Sequence, residues 1–253
     1  MRKLFFISTV LVASIISTSA LAQGLDLSGL PAFSSEQTAD GNVQYSLSLQ
    51  ILALMTAVTL LPSLVLGMTS FTRIIIVLSI LRQALGTQQT PPNQVLIAIA
   101  LFLSFFIMQP TLTEVYNVAL SPFLSETLPA DQAIMEASSV MKDFMVANTR
   151  SDTLLMFSDM AGADGYESNA DIPFSTLLPS FITSELKTAF QIGFLLFLPF
   201  LVIDMVIASI LMALGMMMLS PMLVSLPFKL LLFVLVDGWA MTVGSLAATF
   251  LTP

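Results

Sequence analysis

The chain contains no cysteine and no histidine. Without thiols there is no disulfide framework, no thiolate nucleophile and no cysteine-based zinc site; without imidazole the commonest general base is missing. Charge is scarce as well. Only 9% of residues are Asp, Glu, Lys or Arg, against about 25% in an ordinary soluble domain. What charge there is leans acidic, with 16 acids against 8 bases and a pI near 4.2. So little positive charge cannot neutralise phosphates, which excludes nucleic acid as a partner. Mg²⁺ or Ca²⁺ on carboxylates is chemically open, but no EF-hand spacing occurs. The chain also lacks a Gly-rich phosphate loop, a paired-carboxylate motif and a Ser/Lys signature. No catalytic, cofactor-binding or metal-binding residue is therefore nominated, and an enzyme is not expected. In place of charge the chain is 56% hydrophobic, with a mean hydropathy of +0.93. That composition belongs to a protein in, or assembled at, a membrane.

The first residues, "MRKLFFISTVLVASIISTSALAQG", read as a secretory signal peptide. Arg2 and Lys3 form the basic start, Leu4 to Ile16 the apolar core, and Ala20-Leu21-Ala22 the small-residue site, placing cleavage between Ala22 and Gln23. Loss of Arg2 and Lys3 takes the formal charge from −8 to −10 and leaves the new N-terminus outside the cytoplasm. Residues 23–46 are polar, with Gly, Ser and Pro31, and read as a flexible periplasmic leader.

The N-terminal hydrophobic helices fill 47–110. Leu47 to Leu66 carries no charge, contains Pro62 and ends at Gly67; it is long enough for a hydrocarbon core of about 30 Å. Ile74 to Leu81 is too short to span and is flanked by Arg73 and Arg82, which read as charges that snorkel to the interface. Its helix is expected to end near Gly86, before Pro91-Pro92. Val95 to Met108 stops short of Pro110 and, at ~1.5 Å per residue, is shorter than a bilayer core.

Residues 111–178 hold ten acids and two bases and read as an acidic helical periplasmic insert. Ile134, Ala137, Met141, Phe144 and Met145 form one helical stripe, and Ser151 reads as the N-cap of "DTLLMFSDM". Residues 179–253 are C-terminal hydrophobic hairpins, broken by Gly193, Pro199 and Asp204 in the first run and by Pro227, Lys229, Asp237 and Gly238 in the second. The positive-inside rule puts the Arg73–Arg82 loop in the cytoplasm, the insert in the periplasm and the 215–227 turn in the cytoplasm.

Proline and charge inside such runs are tolerated where protein or a water-filled cavity surrounds them. These helices therefore line a transport path or pack inside a larger assembly. Asp204 sits mid-run, too short to snorkel. Lys229 and Asp237 are eight apart, near one helical face, and pair either with each other or each with a neighbouring subunit. Glu185 and Lys187 in "SELKTAFQIGF" fit either a helix's first turn, capped by Thr183 or Ser184, or a contact between subunits. A proton-coupled small-solute transporter using Asp204 and Asp237 is one alternative reading, and an intramembrane hydrolase with the same two acids is another. Met216, Met217 and Met218 lie between Gly215 and Pro221, so the helix turns there. They are gap-fillers at a helix end, or, repeated around a ring, three long flexible side chains on a loop that closes a hole softly.

Two long stretches, "MTSFTRIIIVLSILRQALGTQQTPPNQVL" (68–96) and "SELKTAFQIGFLLFLPFLVIDMVIASILMALGMMMLSPMLVSLPFKLLLFVLVDGW" (184–239), together with the signal peptide, resemble the FliP/SctR family of type III secretion export-gate proteins. The cleaved leader and long insert favour its flagellar branch over the injectisome branch. The resemblance implies an all-α fold: membrane-associated bent helical hairpins assembling into a helical, cone-shaped hetero-oligomer. It implies five copies of the chain in a homo-oligomer joined by FliQ and FliR, with FlhB at the entrance, FlhA supplying the export ring and FliO assisting assembly. The cargo it implies is unfolded flagellar proteins. The place is the periplasmic side of the bacterial inner membrane, in the flagellar basal body. Carried over, the family's pore gasket is Met216, Met217 and Met218, with Met212 and Met222 as neighbours. The family's subunit contacts map onto Glu185, Lys187, Asp204, Lys229 and Asp237, and within the insert onto Phe144, Arg150 and Phe157.

The signal-peptide reading is checked by N-terminal sequencing of the membrane-bound chain: the first cycle should read Gln23, and a chain still beginning at Met1 overturns it.

Overall fold

The computed structural model describes residues 33–37, 43–47, 49–87, 89–163, 165–166, 168–216 and 218–251, with backbone alone at 33–37, 43–47, 49–51, Ala53 and Leu251. The signal peptide and its cleavage site lie outside the described residues. Two units divide the chain, Met1–Leu61 and Pro62–Pro253. In the first, strands β1 (Phe33–Gln37) and β2 (Val43–Leu47) pair antiparallel, from Phe33 opposite Leu47 to Gln37 opposite Val43. The segment expected to be a flexible leader thus carries a hairpin. Its Val43, Tyr45 and Leu47 alternate with polar residues, a strand period that a reading of Gly, Ser and Pro content overlooks.

Every other described element is helical. Helix α1 (Leu49–Gly67) matches the first apolar run, and Pro62 does not break it. Helix α2 (Phe71–Leu85) ends as expected: Gly86 adopts φ +77° and donates its N–H to the Gln83 carbonyl. That left-handed conformation is easy for glycine and costly for residues with a Cβ. Ile74, Val77, Leu78, Leu81, Ala84 and Leu85 fall on one face of α2 and are all buried. They meet α3 (Asn93–Val115) through Leu96, Ala100, Leu103 and Ile107, and α7 (Phe174–Ala213) through Ala189 and Phe200. The run too short to cross lipid by itself is therefore a central helix of the core, with one face buried against α3 and α7.

Pro110 does not end α3. The helix passes through it, continues as a π-helical turn, Tyr116–Leu120, and then as α4 (Ser121–Leu124). A proline removes one backbone donor, a loss that a long apolar helix tolerates. The result is a continuous helical stretch of 32 residues, Asn93–Leu124, apolar enough to cross a membrane. Helices α5 (Ala130–Asn148) and α6 (Ser151–Met160) follow. Ser151 is the first residue of α6, and Arg150 takes the N-cap position. Helix α7 runs 40 residues without interruption by Gly193, Pro199 or Asp204. Helices α3 and α7 run through residues 111 and 178, so the acidic segment is continuous with the helices on either side.

Helices α8 (Pro221–Leu235) and α9 (Gly238–Leu251) form a pair bent by 63°. Asp237 at the break takes φ +50°. The Phe233 ring lies over Gly238, where an added Cβ would come within 2.2 Å of it. Among the described residues two helices could cross a membrane, or four if each bent pair counts as one span.

Gly193 fixes how closely α2 and α7 approach. A Cβ there would lie 2.4 Å from Ile80 Cδ1 and 3.1 and 3.2 Å from its Cγ2 and Cβ. Gly193→Ala should destabilise the fold by about 1–3 kcal/mol through overpacking. Ile80→Ala in the same chain should recover much of that. Thermal unfolding of both variants in detergent tests it, and a Gly193→Ala chain as stable as the parent refutes the close contact.

Candidate functional site

The methionine loop is built by its flanks. At the end of α7 the Gly215 N–H donates to the Met212 carbonyl and the Met216 N–H to the Leu211 carbonyl, 3.0 and 2.9 Å. Gly215 has φ +72°. This is a Schellman ending, which satisfies two of the last carbonyls and turns the chain out of the helix. Ser220 and Pro221 start α8 five residues later, Pro221 serving at a position where its missing N–H costs nothing. Between them Met216 is 43% exposed and Met218 fully so, while Met217 lies outside the described residues. Met212 and Met222, at the loop's two shoulders, are exposed too. Met216 and Met218 thus lie outside this chain's own core.

Below the loop, α7 and α8 are tied together by polar groups. Asp204 on α7 accepts from Ser225 Oγ at 2.5 Å and from Lys229 Nζ at 2.6 Å. Lys229, buried, also donates to the Ala84 carbonyl at 3.0 Å, so one cation satisfies a carbonyl in the last turn of α2 and favours that helix's negative end. Lys229 therefore pairs with Asp204, not with Asp237. Asp237 is exposed at the α8–α9 break and engages through its backbone. An eight-residue spacing describes one face of an unbroken helix; the break at Asp237 removes that premise.

Glu185 lies mid-helix in α7 and fully buried, not at a helix start. The sequence pattern of a cap followed by an acid is present, but Pro173 already precedes the first turn of the helix and no new start occurs at 184. Its carboxylate takes two bonds from Arg73, one from Nε at 2.9 Å and one from Nη2. Arg73 Nη1 donates to the Thr249 side chain and carbonyl, and its guanidinium stacks 3.7 Å over the Phe250 ring. Arg73 is thus a buried hub joining α2, α7 and α9, not a snorkelling surface charge. Its place inside an apolar α2 was the signal that sequence reading passed over.

Within the insert, Phe144 on α5 packs edge-on against Phe181 and stacks with Phe250, centroids 6.2 and 6.4 Å apart. Phe157 is half-buried on α6, outside that cluster. Arg150 donates its backbone N–H to Ser184 and its Nη1 to Gln191. Lys187 pairs with Asp152 at 2.7 Å, and Arg150 Nε lies 3.7 Å from the same carboxylate. The Lys187 hydrogen bond, aided by the charges of Lys187 and Arg150, holds the Asp152 carboxyl below its ordinary range. Glu185, Lys187, Asp204, Lys229 and Arg150 thus all have partners within the chain. No cluster of three or more potential metal ligands occurs among the described residues.

Arg73→Ala should destabilise the chain by about 3–5 kcal/mol, because it leaves Glu185 buried without its cation. The double change Arg73→Met, Glu185→Leu should cost much less. Denaturant unfolding in detergent reads both, and equal losses for the single and double variants refute the pair as the cause.

Residues 54–246 match the model of the FliP family. The "Flagellar biosynthetic protein FliP" of Cereibacter sphaeroides is 71% identical over 241 residues, 93% of this chain and 80% of that protein. The proteins of that name from Pectobacterium carotovorum subsp. carotovorum and Bacillus subtilis (strain 168) are 51% identical over 221 residues and 52% over 205. Those alignments cover 87% and 81% of this chain and 86% and 93% of the relatives.

Proposed function

The chain belongs to the FliP family of flagellar biosynthetic proteins, and we propose that it is a core subunit of the flagellar type III protein export gate. In this reading five copies, with FliQ and FliR, surround a pore through which unfolded flagellar proteins leave the cytoplasm. FlhB, FlhA and FliO serve as its neighbours and assembly factor. The assembly sits in the bacterial inner membrane, toward its periplasmic side, within the basal body.

The observation that carries the reading is the exposed methionine loop. Met216 and Met218 project from a short connection whose two ends are fixed, one by the Gly215 turn and one by Pro221. Methionine has three rotatable bonds and no branch, so it adapts to irregular surfaces. A ring of such side chains can part around an unfolded chain of any sequence and close again without leaving polar groups that hold water. Branched residues are stiffer about χ1 and fit fewer shapes. The apolar flanks also support a subunit role: Phe102, Phe105 and Phe106 on α3 and Phe190, Phe194 and Leu195 on α7 are each more than 60% exposed. Such surface needs lipid or neighbouring chains to cover it.

The test is ion leakage. Changing Met216, Met217 and Met218 together to Ala should raise membrane conductance several-fold in cells co-expressing FliQ and FliR. Native mass spectrometry of the same preparation should still show the hetero-oligomer. Unchanged conductance in an intact complex refutes the gasket; a stable monomer or dimer with no partners refutes the gate subunit itself.

A further inference from the structure

Between the π-helical turn and α5 lies an open groove of about 370 Å³. Val115, Ala119 and Phe123 form one wall, and Ala130, Ala133 and Ala137 the other. The three alanines fall at i, i+3 and i+7, on one helical face, so that wall is low and a third helix can come close. Ile134 at 70% exposure, Met135 at 69% and Leu124 at 66% stand uncovered at or beside it. The other wall is where α3 changes to π-helical winding, a distortion found mostly as single turns and frequently at functional sites.

The surroundings of the groove carry one sign of charge. Glu114, Glu126, Asp131 and Glu136 are all exposed, and no Lys or Arg occurs from residue 111 to 141. On α5, Asp131 and Glu136 lie roughly 100° to either side of the alanine face. An anionic lipid headgroup would be repelled here. A second copy of the chain has no free cation to offer among its described residues. Arg73, Arg82, Lys142, Arg150, Lys187 and Lys229 each already donate to a group of their own chain.

We propose that this groove docks an amphipathic helix of a partner protein, one whose apolar face is flanked by Lys or Arg. The mode is helix-in-groove, with apolar anchors at i, i+3, i+4 and i+7 seated on the alanines and the basic residues meeting the acidic rim. The groove is built from different elements than the methionine loop and does not depend on the loop's role.

The probe is a synthetic helical peptide of leucine and lysine with that spacing, labelled with fluorescein. It is titrated into the purified full chain in neutral detergent, with empty micelles as reference. Saturable binding is expected, weakening as salt screens the rim. Ala130→Trp, which fills the groove from an exposed position, should weaken it about tenfold or more, as an anchor-site lesion does. Asp131→Lys with Glu136→Lys should do the same without touching the groove floor, and circular dichroism should confirm that both variants keep the parent helicity. A leucine and glutamate peptide of the same spacing should not bind. Equal binding to the parent and both variants, or equal binding of the glutamate peptide, overturns the proposal. So does a change in the chain's own oligomeric mass on Ala130→Trp, since that makes a second copy the occupant.

Discussion

The buried pair between Arg73 and Glu185 sets the register of this fold. The face that α2 turns to α7 is otherwise Ile, Val, Leu and Ala. Such a face can slide by a turn with little loss, because one aliphatic contact replaces another. A single buried guanidinium and a single buried carboxylate cannot slide, since any other register leaves both charges desolvated and unpaired. Arg73 also holds the end of α9 through Thr249 and Phe250, so the same residue brings the last described helix to the core helix. Gly193 acts with it by letting α2 and α7 approach until Ile80 touches the α7 backbone. The charge chooses the register and the glycine chooses the distance.

With that register fixed, the fold still leaves many of its large apolar side chains outside. At ~1.5 Å per residue, the 40 residues of α7 extend to about 60 Å, twice a hydrocarbon core. It is long enough to serve lipid and protein neighbours at once, and its Thr176, Ser180 and Ser184 are buried while Phe190 and Phe194 are not. The first part of α7 therefore finishes its packing within the chain and the middle does not. That division is what a membrane-embedded flagellar component with further neighbours requires.

Much of this was legible in the sequence wherever a local signal decided the outcome. Gly86 ended α2, and Gly215 with Pro221 bracketed the methionine loop, because left-handed turns and helix starts select their residues strongly. The all-α character was what the family resemblance implied, and outside the β1–β2 pair every described element is helical. Prolines misled. Pro110, Pro199 and Pro227 are local breakers by propensity, yet each lies within a helix whose neighbouring turns remain paired. The ion pairs were also out of reach, for a different reason. Arg73 and Glu185 are 112 positions apart, and no spacing rule connects residues that only tertiary packing brings together. For Lys229, helical periodicity offers either Asp237 or a neighbouring subunit as partner; the chain turns at Asp237 and gives the lysine to Asp204 instead.

The clasp at Asp204 gives the methionine loop its mechanical character. Asp204 precedes the loop on α7, Ser225 and Lys229 follow it on α8, and Lys229 fastens both to the end of α2. Met222, on the same side, packs beside Gly86, where an added Cβ would meet its Cγ at 3.7 Å. The base of the hairpin is thus held by directional polar bonds, whereas Met216 and Met218, the described methionines of the tip, stand exposed. Met218 touches so little that its side chain is fully exposed. Under the proposed gasket role, a seal that yields to chains of varied sequence needs this combination. In that reading compliance resides in side-chain rotation, which is fast and local, and not in the hairpin, whose displacement would strip Lys229 of both its partners, Asp204 and the Ala84 carbonyl. Stiffness below and softness at the tip follow from where the sequence spends its few charges and where it places its methionines.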